Sequence, residues 1–134
     1  MSHSFIRALV LLALAFFPFQ AQAVDPAADP VSAATPLKVL FVGNSYTYFN
    51  DMPGMLIAMT DAPGSPRKIQ ATASTIPAAT LQMLWRDKSA RTAIEVGKWD
   101  FVVLQEQSTT PLTDPENMFK YTRKFDSAIR KAGA

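Results

Sequence analysis

Two short apolar runs constrain the fold of this chain more than any other feature of its sequence. Residues 37–42 read LKVLFV and end at Gly43, and residues 101–104 read FVVL. Runs of this length, rich in β-branched and aromatic residues, are typical of strands that are buried in a parallel sheet. Residues 68–73 are a weaker strand candidate between them. The chain is therefore expected to contain at least three strands in a common sheet.

Helical patterns occupy the segments between and after these strands. Apolar side chains repeat at helical spacing over residues 52–59, where an Asn-Asp pair precedes a proline, and residues 79–90 carry a second helical pattern. A third helix is predicted from the capping box that begins at Thr113, with Gly133 as its C-cap. Strands that alternate with helices predict an α/β fold with three α/β/α layers, in which right-handed βαβ units form a parallel sheet covered on both faces.

The N-terminal 36 residues are predicted to lie outside this fold. Residues 1–23 have the order of a cleavable signal peptide, with Arg7, an apolar run at 8–17 and a final Ala-Gln-Ala. A retained membrane anchor is the alternative, but the apolar run is shorter than the roughly 20 residues that span a bilayer. Residues 24–36, rich in Pro, Ala and Asp, are predicted to be a flexible linker. The folded domain is then expected over 37–134, in an exported protein that is periplasmic or secreted.

Charge and residue composition exclude several classes of function. Cleavage of the signal peptide would remove Arg7 and no acidic residue, so the formal charge would fall from +2 to +1. A nearly neutral chain gives no electrostatic argument for nucleic acid or an anionic membrane as a partner. The sequence has no cysteine, and its single histidine, His3, belongs to the signal peptide. No disulfide, metal site or cofactor is therefore expected.

Reactive groups in such a sheet are expected just beyond the carboxyl ends of the strands. Ser45 follows the first strand in a Gly-Asn-Ser turn and is a candidate nucleophile, while Gln105 and Gln107 follow the strand at 101–104 and are candidate oxyanion donors. Each pattern also has an ordinary structural explanation. A serine in this position often caps the next segment, and glutamines at strand ends often hydrogen bond to loops.

Together, the stretches LKVLFVGNSYTYFNDMPGML and WDFVVLQEQS resemble the SGNH (GDSL-like) hydrolases, in the branch that has GNS in the first block and LQEQS in the third. The resemblance covers residues 37 to about 132. It implies that Ser45 is the nucleophile and that its backbone N–H is an oxyanion donor. The third-block amide maps onto Gln107, with Gln105 as the alternative. Asn44 and Tyr46 are expected to line the substrate pocket.

The second block of the family completes the oxyanion hole with a glycine N–H. Here the corresponding stretch is PAATL, and Ala78 stands at the glycine position. An alanine still offers its N–H, but it resists positive φ and crowds the substrate more than glycine does. The resemblance therefore implies an oxyanion hole formed by Ser45, Ala78 and Gln107, in a site that departs from the family pattern.

The family also uses an Asp-x-x-His block near the C-terminus, and this sequence has no histidine after His3. The expectation is an exported ester hydrolase, acting through an acyl-serine on small or carbohydrate-like esters, that is truncated before its base and inactive alone. Truncation would also leave part of the sheet exposed. A non-catalytic binding module or a degenerate fragment with the same fold is the alternative. A phosphate-binding domain is disfavoured because no glycine-rich phosphate motif is present.

Overall fold

The computed structural model describes residues 34–134. It contains a parallel sheet with strand order β2-β1-β3, where β1 is Leu37–Gly43, β2 is Ile69–Thr75 and β3 is Phe101–Leu104. This confirms the predicted α/β class and all three predicted strands. The predicted signal peptide, residues 1–23, and most of the predicted linker, 24–36, lie outside the described residues.

Six helices accompany the sheet in the described part of the chain. Their bounds are Ser45–Tyr48 (α1), Met52–Asp61 (α2), Leu81–Asp87 (α3), Ser89–Val96 (α4), Thr110–Thr113 (α5) and Pro115–Ala132 (α6). The crossovers from β1 to β2 and from β2 to β3 run in opposite directions across the sheet. Right-handed crossovers then place α2 on one face and α3 with α4 on the other. Since α6 contacts both α3 and α4, it belongs to the same layer as they do.

One helical prediction was wrong in its bounds. Residues 79–90 were expected to form one helix, but the chain breaks at Lys88, which has a left-handed backbone with φ of 77°. It ends α3 and begins α4. Asp51 caps α2 and Gly133 closes α6 with φ of 88°, as predicted, but the N-cap of α6 is Asp114 and not Thr113, where the predicted capping box begins.

The core lies on the face of the sheet that α3, α4 and α6 cover. Leu40 and Val42 alternate onto this face of β1 and are fully buried, and Phe125 of α6 packs its ring edge to face with Trp85 at 5.1 Å. The other buried members of the cluster are Ala79, Leu81, Leu84, Ala90, Ile94 and Tyr121. Because the three strands are parallel, the carboxyl ends of β1, β2 and β3 lie at the same end of the sheet.

The opposite face of the sheet is less covered. Phe101 of β3 is 56% exposed and Val103 is 40% exposed. The described helices therefore leave this face of β3 partly uncovered, in line with the expectation that part of the sheet would be exposed. Phe119 of α6 is also exposed. Within residues 34–134, no helix is long and apolar enough to cross a membrane.

Candidate active site

The turn after β1 presents Ser45 at the first position of α1. Asn44 is the N-cap, and its Oδ1 accepts a 3.1 Å hydrogen bond from the Tyr46 N–H. Gly43 is required beneath this turn because a Cβ there would lie 2.5 Å from Thr47 Oγ1 and 2.6 Å from Gln105 Oε1. The absence of a side chain at Gly43 therefore allows Thr47 and Gln105 to pack against the backbone beneath the serine turn.

Asn44 joins the serine turn to the turn that follows β2. Its side chain is 1% exposed, and its Nδ2 donates a 2.9 Å hydrogen bond to the backbone oxygen of Ala79. Each polar group of Asn44 therefore has a hydrogen-bond partner within the protein. Asn44 was expected to line the pocket, and it does so while holding two loops together.

Ala78 has a left-handed backbone, the conformation that glycine adopts most readily. Its φ is 55°, in the left-handed region that costs an L-residue roughly 1–2 kcal/mol. The neighbouring turn is closed by the Ala79 N–H, which donates to the Ile76 oxygen at 3.2 Å. Among residues 34–134, the backbone N–H groups of Ser45 and Ala78 donate to no acceptor. Both groups are therefore available to a ligand.

Gln107 is oriented by the segment that begins α5. Its Oε1 accepts hydrogen bonds from the N–H groups of Thr109 (2.8 Å) and Thr110 (3.1 Å), and from both threonine hydroxyls. Its Nε2 has a single contact, 3.4 Å to Ser108 Oγ. Because the oxygen end of this amide is occupied, Gln107 has donor capacity left and little acceptor capacity.

One cavity of about 150 Å³ brings the expected oxyanion residues together. Ser45, Ala78 and Gln107 all line it, although they follow three different strands. Its other lining residues are Asn44, Tyr46 and Ser108. A second cavity, of about 310 Å³, adjoins Ser45 and Tyr46 on the other side and is also lined by Phe49 and Asn50. The serine and Tyr46 therefore line both cavities, and the larger one also has the Phe49 ring in its wall.

Gln105, the alternative oxyanion residue, lies beneath the site and does not line the 150 Å³ cavity. Its Oε1 accepts hydrogen bonds from the Asn44 N–H at 2.9 Å and from the Thr47 hydroxyl at 3.0 Å. Its Nε2 donates to the backbone oxygen of Glu106. The Gln-x-Gln pair is thus divided between support of the serine turn and the wall of the cavity. Sequence spacing offered no signal for this division.

Among residues 34–134, no histidine is present and no side chain forms a hydrogen bond with Ser45 Oγ. Asp100 accepts from the Lys38 N–H at the far end of β3, and Asp114 caps α6. In this part of the chain, moreover, no three His, Cys, Asp or Glu side chains are grouped to hold a metal ion.

Comparison with protein-family models, curated proteins and solved structures gives no match to this chain.

Proposed function

We propose that this chain carries the nucleophile and the oxyanion hole of a serine ester hydrolase. The observation that carries the proposal is the shared cavity of Ser45, Ala78 and Gln107. In the proposed reaction, Ser45 Oγ forms a bond to the ester carbonyl carbon. The oxyanion accepts from Ser45 N–H, Ala78 N–H and Gln107 Nε2. Donors that are already oriented before reaction stabilise such charge most effectively.

Collapse of the tetrahedral intermediate breaks the bond to the alcohol oxygen and leaves an acyl group on Ser45. The serine proton passes to a base and then to the leaving alcohol, and water later releases the acid by the same route in reverse. Since the described residues provide no base at Ser45, the proposal requires one from outside them. The substrates we propose are small or carbohydrate-like acyl esters, with acetyl esters fitting the 150 Å³ cavity. The proposed location is the periplasm or the exterior of the cell.

Added imidazole tests this proposal because it supplies the missing base. The purified chain is incubated with p-nitrophenyl acetate over a series of imidazole concentrations, and acetylation is mapped by mass spectrometry. We expect imidazole-dependent acetylation of Ser45 and turnover above the background of Ser45→Ala. Ser127→Ala, an exposed serine on α6, is the matched control and should behave as the wild type does. Equal turnover by wild type and Ser45→Ala would overturn the proposal.

A second candidate function is ligand binding without turnover, through the same cavity. The observation that favours it is the Ser45 hydroxyl, which has no base among residues 34–134. In that case an ester or its acid should bind to the chain and should bind equally to Ser45→Ala. Ligand-induced amide shifts of Ala78 and Gln107, without acetylation of Ser45 at any imidazole concentration, would decide for this candidate.

A further inference from the structure

Three consecutive side chains after β3 reach three different parts of the site. Gln105 supports the turn of Ser45, and Gln107 lines the cavity. Glu106, between them, reaches the start of α3. Its carboxylate is half-buried and forms no ion pair with any cation of residues 34–134. The partners of this carboxylate are therefore backbone groups.

A single oxygen of Glu106 accepts two backbone hydrogen bonds. Its Oε1 lies 3.1 Å from the Leu81 nitrogen and 2.7 Å from the Gln107 nitrogen. The Leu81 N–H is the first of α3 and has no partner within the helix. Hydrogen bonds to an ionised acceptor are shorter and stronger than neutral ones, and a helix N-terminus favours negative charge. One carboxylate thus connects the segment after β2 with the segment after β3.

Both of these segments contribute a lining residue to the small cavity. Ala78 lies three residues before Leu81, and between them the chain is held by the 2.9 Å contact of Ala79 with Asn44. Gln107 lines the cavity from the segment after β3. We infer that Glu106 is a positioning residue, which fixes the separation of the Ala78 N–H and the Gln107 side chain. The inference rests on the proposed ester hydrolysis, in which these two groups donate to the same oxyanion.

The substitutions Glu106→Gln and Glu106→Leu separate the hydrogen bonds from the space that the side chain fills. Glutamine keeps an acceptor oxygen at the same distance, whereas leucine has none. Glu95→Leu, at an exposed position of α4, is the matched control. Amide hydrogen exchange is measured by NMR for Leu81 and Gln107. We expect each of the two amides to exchange about 10-fold faster or more in Glu106→Leu, which corresponds to a loss of about 1.4 kcal/mol for each bond.

Imidazole-dependent acetylation supplies the functional readout. A misplaced donor affects the transition state more than substrate binding, so kcat should fall by about 10- to 100-fold in Glu106→Leu with KM nearly unchanged. Glu106→Gln should stay close to the wild-type kcat, and Glu95→Leu should match the wild type. A wild-type kcat in Glu106→Leu would overturn the inference, as would a change in KM alone. Equal damage by glutamine and leucine would overturn it as well.

Failure of the proposed function is distinguishable from failure of this inference. Absence of Ser45-dependent acetylation in the wild type would overturn the proposed reaction, and hydrogen exchange would then decide the role of Glu106 in holding the two segments. Unchanged exchange of Leu81 and Gln107 in Glu106→Leu overturns that role. If Glu106→Leu does not fold, Glu106→Met carries the same test, because methionine is unbranched and also has no acceptor oxygen. Exchange of the Leu81 and Gln107 amides should again be faster than in the wild type, and unchanged exchange would contradict the inference.

Discussion

The side-chain nitrogen of Asn44 lies 2.9 Å from the backbone oxygen of Ala79, and this contact joins the serine turn to the turn of Ala78. Both residues are almost completely buried. A buried carbonyl that loses its donor carries a desolvation cost of about 1–3 kcal/mol. The geometry of the site therefore depends on Asn44, whose role in this contact is structural.

Asn44→Ala tests the strength of this connection. The substitution removes the donor to Ala79 and the N-cap acceptor for Tyr46, so we expect the free energy of unfolding to fall by about 2–4 kcal/mol. Urea denaturation followed by circular dichroism measures the change. Asn50→Ala, at an exposed position, should change stability by less than about 0.5 kcal/mol. Equal losses in the two variants would contradict the structural role of Asn44.

Ala78→Gly should stabilise the protein, because Ala78 has a φ of 55°. Glycine removes the left-handed strain of roughly 1–2 kcal/mol and adds a smaller entropy cost in the unfolded chain. We expect a net gain of about 0.5–1 kcal/mol in the free energy of unfolding, measured by urea denaturation. Ala132→Gly, in the last turn of α6, is the matched control and should lose up to about 1 kcal/mol. A loss at position 78 would mean that the strain is absent in solution.

The parts of the fold that could be predicted from sequence are those with strong local signals. Strands β1 and β3 are short apolar runs, and α6 has an N-cap aspartate, an N1 proline and a C-cap glycine. The break at Lys88 has no such signal, since a lysine rarely adopts a left-handed backbone. The four-residue helices α1 and α5 are also too short to show a periodicity.

The candidate site was predictable in its members and unpredictable in its connections. Ser45 and the glutamine pair stand at strand ends, so topology alone brings them to one edge. The contacts that orient them link residues that are 61 positions apart, as for Asn44 with Gln105, or 25 apart, as for Leu81 with Glu106. A single sequence contains no periodicity that reports such pairs. The two hydrogen-bond partners of Glu106 are accordingly visible only in the structure.

The hydrogen bond between Gln82 and Tyr121 should be visible in an alkaline titration. Gln82 Nε2 donates to the Tyr121 hydroxyl at 3.2 Å, and this bond lowers the pKa of the phenol. Nearby Arg86, Lys124 and Lys120 lower it further, against the opposing effect of burial. Gln82→Leu should raise the Tyr121 pKa, which can be followed through the tyrosine Cζ chemical shift. Gln70→Leu, at an exposed position of β2, should leave the Tyr121 pKa unchanged.

The stability linked to this group has a defined sign. Because the pKa of Tyr121 is lower in the folded protein than in the unfolded chain, ionisation favours the folded state. The contribution is absent below the folded pKa, grows as the pH rises towards the unfolded value, and is fully present above it. The stability difference between wild type and Gln82→Leu should therefore widen at alkaline pH. A difference that is constant or narrows there would contradict the assigned cause.

Val103→Lys should reduce self-association, because β3 is an edge of the sheet over the part of the chain described. Phe101 and Val103 are exposed on the same face of this strand, next to backbone groups that no other described strand pairs. Exposed apolar edges of this kind promote strand-to-strand association, and lysine is a common protection against it. We expect sedimentation velocity to show less concentration-dependent association, with stability changed by less than about 1 kcal/mol. Leu112→Lys, at an apolar position of α5 that is 86% exposed, should not have this effect. If both substitutions reduce association to the same extent, general surface hydrophobicity causes it and the β3 edge does not.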